Sequence, residues 1–186
     1  DGNVVLEGTT PGWGTGTWIF SARRTYYDLV VGRLQDQKFP SFADLQLQAG
    51  WDVGPGHRLT LVGVSSVEDA DLNIDGDGHG ERVAFGSDVR NDLASVRFDA
   101  VLGSRGTSTT IVSWYRNREL FDFDGTLRAD AKRSNAPADD VAFGLATISF
   151  DRLVGVEDIS VRQDFTVEAS PKHLISAGLE LHRLNT

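Results

Sequence analysis

Five side chains with ligating oxygens crowd one short stretch of the chain. Asp71, Asn73 and Asp75 alternate with other residues, Gly76 follows, and Asp77 and Glu81 come next. The pattern D-x-N-x-D-G matches the first half of a calcium loop, where oxygens at positions 1, 3 and 5 converge on the ion and glycine permits the turn. Such a loop ends on a bidentate Glu, but Arg82 stands at that position; Glu81, one residue earlier, is the substitute. Asp71, Asn73, Asp75, Asp77 and Glu81 are therefore the candidate Ca²⁺ ligands. The competing expectation for 71–81 is an acidic surface loop.

Other chemistry is sparse. No G-x-S-x-G sets up a nucleophile, and no glycine-rich phosphate loop occurs. Cysteine is absent, which excludes disulfides and thiolate metal sites. His57, His79, His173 and His182 are dispersed; His57 and His173 follow turns, and His182 sits two residues from Glu180 on one side of a strand. Trp18, Trp51 and Trp114 suit a carbohydrate platform, but a membrane girdle or a core is the simpler reading. No enzyme is expected. The net charge of −9 is spread along the chain, with no basic stripe to track phosphates, so nucleic acid is not an expected partner.

These residues must be positioned by strands. A chain of 186 residues suffices for one domain, 1–186. No capped stretch shows helical periodicity, and no run of about 18 apolar residues occurs to make a transmembrane helix. Membrane β-barrels escape that test, because their strands alternate. The absence of methionine and of a signal peptide before Asp1 suggests a mature or excised piece of a longer chain. Strands are expected at 3–7, 15–31, 42–53, 58–67, 91–102, 108–118, 157–169 and 173–183. In 42–53, Ala43, Leu45, Leu47, Ala49, Trp51 and Val53 share one face. Ala94, Val96, Phe98 and Ala100 do the same in 91–102, as do Ile159, Val161, Phe165 and Val167 in 157–169. Tight turns fall at 10–12, 54–56, 103–106 and 170–172. Long polar loops are expected at 32–41, 68–90 and 119–156, although 141–154 is apolar enough to extend the seventh strand.

Short turns alternating with long loops are the mark of an outer-membrane barrel, whose periplasmic turns are short and extracellular loops long. In the second strand, Trp18 and Phe20 precede Tyr26 and Tyr27 by about eight residues, roughly 25 Å, the spacing of two aromatic girdles. Arg23 and Arg24 are adjacent and must point to opposite faces. One then meets lipid at a cost of about 2–4 kcal/mol at midplane, unless it lies near a rim or a bulge changes the register.

Several stretches carry a family resemblance. LEG, a Pro-Gly turn and then W-I-F-S-A-R-R-T-Y-Y-D-L from Trp18 resemble the barrel of TonB-dependent outer-membrane receptors. Phe39-Pro40 followed by Phe42-Ala43-Asp44-Leu45-Gln46 is similar to the family's second hairpin, as is Trp51-Asp52-Val53 leading through Gly-Pro-Gly to His57-Arg58-Leu59. Asp158 to Phe165, then Ser170-Pro171-Lys172-His173 and Ala177-Gly178-Leu179-Glu180-Leu181, resemble a late pair. The resemblance implies an all-β fold: an antiparallel up-and-down transmembrane β-barrel segment of about eight strands. A full barrel has about 22. It further implies uptake of a scarce solute, such as a siderophore, metal complex, vitamin or glycan, across the bacterial outer membrane. Expected partners are outer-membrane lipid, the small solute, and a plug domain and TonB through the full-length protein. The alternative is a soluble all-β binding module, a lectin-like sandwich with Ca²⁺ in 71–81.

Overall fold

The computed structural model describes residues 1–10, 15–25, 40–75, 82–130 and 143–186. These form one antiparallel sheet of eight strands in chain order: β1 (Gly2–Thr9), β2 (Gly16–Arg24), β3 (Ser41–Gly54), β4 (His57–Asp75), β5 (Arg82–Leu102), β6 (Gly106–Asp130), β7 (Phe143–Ser170) and β8 (His173–Asn185). Among the described residues there is no helix. Each strand pairs only with its sequence neighbours, so the sheet is up-and-down and open, with β1 and β8 as edges.

Three connections at one end are tight. Residues 55–56 join β3 to β4, 103–105 join β5 to β6, and 171–172 join β7 to β8. Gly56 and Gly103 hold φ of 75° and 63° there, a region that side chains disfavour and glycine adopts freely. Register shifts fall beside two of these turns, between Asp52 and Gly54 and between Glu168 and Ser170.

The other end differs from the sequence expectation. Residues 68–90 are not one long loop: β4 continues to Asp75 and β5 begins at Arg82. Nor is 119–156 a loop, since β6 runs to Asp130 and β7 starts at Phe143. The expectation of strand within 141–154 holds from Phe143 onward. The physical reason is that alternation persists through these acidic stretches. Ala70, Leu72 and Ile74 alternate with Asp69, Asp71 and Asn73, and Phe121 and Phe123 alternate with Asp122 and Asp124. Charge and glycine content suggested loop, but the period of two is a strand's. β2 is described only to Arg24; the expected girdle residues Tyr26 and Tyr27, and the turn at 11–12, lie outside the described residues.

Register sorts the side chains onto two faces. One row across the sheet runs Trp18, Ala49, Leu61, Val96, Val112, Val161 and Leu181, and the next runs Phe20, Leu47, Gly63, Ala94, Trp114 and Ile159. This is the front face. Every apolar set expected from the sequence lands on it. The back face beside it runs Ile19, Gln48, Val62, Ser95, Ser113, Ser160 and His182 in one row, polar in five of its seven members. Among the described residues nothing covers the front face. Val96, Val112 and Val161 are 43%, 44% and 42% exposed, and among the described residues the buried apolar ones are only Ala49 and Ala100.

Candidate functional site

The back face is a network of charge pairs. Arg23 Nε donates to Asp44 Oδ2 at 2.8 Å, Arg58 Nη1 to Asp52 Oδ1 at 2.9 Å, and Arg162 Nε to Asp164 Oδ2 at 2.7 Å. Arg97 forks onto Asp99, with Nε at 2.7 Å from Oδ2 and Nη2 at 2.9 Å from Oδ1, and Thr109 donates to the same carboxylate at 2.7 Å. Arg97 and Asp99, like Arg162 and Asp164, stand two apart on one strand and so share a face. Ser113 and Ser160 hydroxyls meet at 2.7 Å between them. A lumen wall or a solvated sheet surface would carry such a network; a dry core would not.

The front face changes character along the strands. Its apolar band in β5 spans Ala94 to Leu102, about 26 Å at the usual rise per residue. Polar groups inside the band satisfy one another: Thr110 donates to Gln163 Oε1 at 2.6 Å, and Gln163 Nε2 to Ser108 at 2.8 Å. The band ends at a row of Ser65, Asp92, Arg116 and Glu157. Beyond that row the faces exchange roles. The front then presents Asp69, Asp88, Asp71, Asp122, Asp151 and Asp124, with Val67, Ala84, Leu120 and Leu153 as exceptions. The back presents Leu72, Phe85, Phe123 and Phe150 in one row, and Phe121 beside them. Phe121 packs edge-on to Phe85 at 4.9 Å between centroids and stacks on Phe150 at 5.6 Å; Phe123 stacks on Phe150 at 5.3 Å. The pairings of β4 with β5, β5 with β6 and β6 with β7 run through the exchange without a register shift. The inversion is therefore written in the side chains and owes nothing to a bulge.

The band also crosses the strands obliquely. Its set in β3, Ala43 to Val53, is centred on Gln48, and the row through Gln48 reaches His182 in β8. The apolar run of β8, Ile175 to Leu181, is instead centred on Gly178. That offset is about four residues, roughly 13 Å along the strand against roughly 24 Å across five strand spacings, an obliquity of about 30°.

The sequence candidates fall as follows. Asp71 and Asn73 stand in the paired part of β4, opposite Gly86 and Ala84, and Asp75 pairs with Arg82. Asp77, His79 and Glu81 lie outside the described residues. Among the described residues no group of three or more His, Asp or Glu is arranged to hold a metal ion. Arg23 and Arg24 do point to opposite faces, because β2 pairs with β1 and β3 without a shift there. Arg23 takes the back face; Arg24 takes the front, in the row of Ala43, Val67, Arg90 and Arg118, just past the band. No bulge changes the register at this pair. His182 lies 3.2 Å from Glu180 as its spacing suggested, and also 2.9 Å from Asp158, which sequence reading missed because the contact crosses strands. His57 stacks on Phe98 at 6.0 Å. Trp18, Trp51 and Trp114 all lie on the front face. Comparison with protein-family models, with curated proteins and with solved structures finds no match to this chain.

Proposed function

We propose that this chain forms part of the wall of a TonB-dependent receptor barrel in the bacterial outer membrane, contributing to uptake of a scarce solute. The observation that carries the reading is the exchange of faces at the row of Asp92, Arg116 and Glu157. A wall crossing a bilayer needs its apolar side outward within the lipid. Where it emerges into water it needs that side inward, against its own interior. A soluble sandwich buries one face of each sheet throughout and has no reason to invert.

Three further features support it. The front band of about 26 Å along β5 is close to the roughly 25 Å apolar belt of such barrels. Its obliquity of about 30° runs near the 35–45° tilt that strands need if the belt is to lie level in a membrane. Tight connections lie at the banded end, which suits the periplasmic side, and the inverted end carries the longer excursions. The open edges at β1 and β8 would then continue into neighbouring wall strands. The back-face charge network would line the lumen beside a plug domain, which with TonB belongs to the full-length protein.

The test is to fold the chain with and without phospholipid vesicles. Far-UV circular dichroism would follow folding, and quenching by brominated acyl chains would follow Trp18, Trp51 and Trp114. Strand content that appears only with lipid, together with strong quenching, is the expected result. A folded, monodisperse monomer in plain buffer would sink the membrane reading. A rise in its melting temperature with Ca²⁺ would then favour the soluble module holding the ion at 71–81.

A further inference from the structure

The geometry points to a binding site on the front face for one anionic membrane lipid: its phosphate meets Arg116 and Arg118, and an acyl chain lies in the trough over Gly63. This inference rests on the wall reading above. In the row Phe20, Leu47, Gly63, Ala94 and Trp114, the two smallest residues lie between large ones. The result is a shallow groove of about 490 Å³ lined by Phe20, Leu47, Gly63 and Trp114, with Arg90 and Arg116 also on its lining. A Cβ added at Gly63 would meet nothing within 4 Å, so the trough is open at its floor.

The charged end is unusual for this sheet. On the back face, Arg23, Arg58, Arg97 and Arg162 each have a carboxylate partner. On the front, Arg118 is the Cα partner of Arg90, and Arg116 stands two residues away on the same face. Arg90 is occupied by Asp92 at 3.0 Å, and Asp92 also accepts from Ser65 at 2.7 Å. Glu157, across from Arg116, accepts from Trp114 Nε1 at 2.8 Å. Both nearby carboxylates are thus hydrogen-bonded to other groups; Arg116 reaches Asp92 only through the Coulomb field, and among the described residues neither Arg116 nor Arg118 has a hydrogen-bond or ion-pair partner. Like charges side by side repel, and an anion between them removes the repulsion. Arginine forks suit phosphate oxygens in particular. A free anion has no use for the adjoining apolar groove, whereas an amphiphile fills both parts.

Native mass spectrometry of the whole chain folded in detergent micelles tests this, with phosphatidylglycerol and phosphatidylcholine as probes. At about 1 kcal/mol per arginine near an anionic surface, each guanidinium adds about fivefold, so phosphatidylglycerol should bind about 25-fold more tightly. The double variant Arg116→Gln, Arg118→Gln should lose that preference, and Arg162→Gln on the back face should keep it. Gly63→Leu, which has room for its side chain, should weaken both lipids while preserving their ratio. Equal binding of the two lipids by the wild type, an unchanged preference in the double variant, or displacement of bound phosphatidylglycerol by inorganic phosphate would each overturn the site. Those outcomes leave the wall reading intact, because the chain is then folded in micelles. Failure to fold in any micelle or vesicle removes both.

Discussion

Val96 and Ser95 are neighbours in β5, and a bilayer treats them oppositely. Val96 lies in the exposed front band, one row in from its end at Ala94, and Ser95 is the Cα partner of Ser113 on the back. In the wall reading, Val96→Arg should cost about 2 kcal/mol of stability in lipid, and Ser95→Arg much less, by urea unfolding in vesicles. Equal costs would mean that both faces see the same medium. The glycines of the tight turns make a second contrast. Both hold positive φ, so an alanine at either position pays about 1–2 kcal/mol for the left-handed backbone. At Gly56 the new Cβ would also press on Val101 at 2.9 Å, whereas Gly103 opens onto space. Gly56→Ala should therefore lower the midpoint of unfolding more than Gly103→Ala.

At the scale of elements, the exchange of faces divides β4 to β7 into two parts held by different solvents. In the wall reading the banded part relies on lipid around the front face. The emerging part relies on its own aromatic cluster on the back, where Phe121 touches both Phe85 and Phe150. Each such ring pair contributes about 0.5–1.5 kcal/mol beyond burial. Phe121→Ala should therefore speed amide exchange in the far ends of β6 and β7 while leaving the amides near Val96 and Val112 protected. Uniform loss of protection would show the two parts to be one cooperative unit. The alternation of Phe121, Asp122, Phe123 and Asp124 made this extension readable beforehand. What concealed it was its phase: its apolar members share a face with Ser95 and Ser113, and only the continuous pairing of β5 with β6 reveals that.

For the whole molecule, surface area is the decisive quantity. A compact monomer of 20.3 kDa would expose roughly 8,800 Å². This chain exposes 13600 Å², and every residue of the edge strand β8 is exposed. An uncovered apolar face and two unpaired edges favour association in water. In buffer without detergent the chain should elute by size exclusion with light scattering as species well above its monomer mass, and detergent should reduce it to the monomer. The sequence by itself determined the strand class, the tight turns at 54–56, 103–106 and 170–172 and the apolar set of each strand, because a period of two and glycine's backbone freedom are local properties. It placed His182 beside Glu180 and Arg23 opposite Arg24 for the same reason. Only the tertiary structure decided that all the apolar sets share one face, that the faces exchange at Asp92, Arg116 and Glu157, and that Arg118 stands across from Arg90. Those facts depend on register between strands, which is set by pairing over tens of residues and by no short motif.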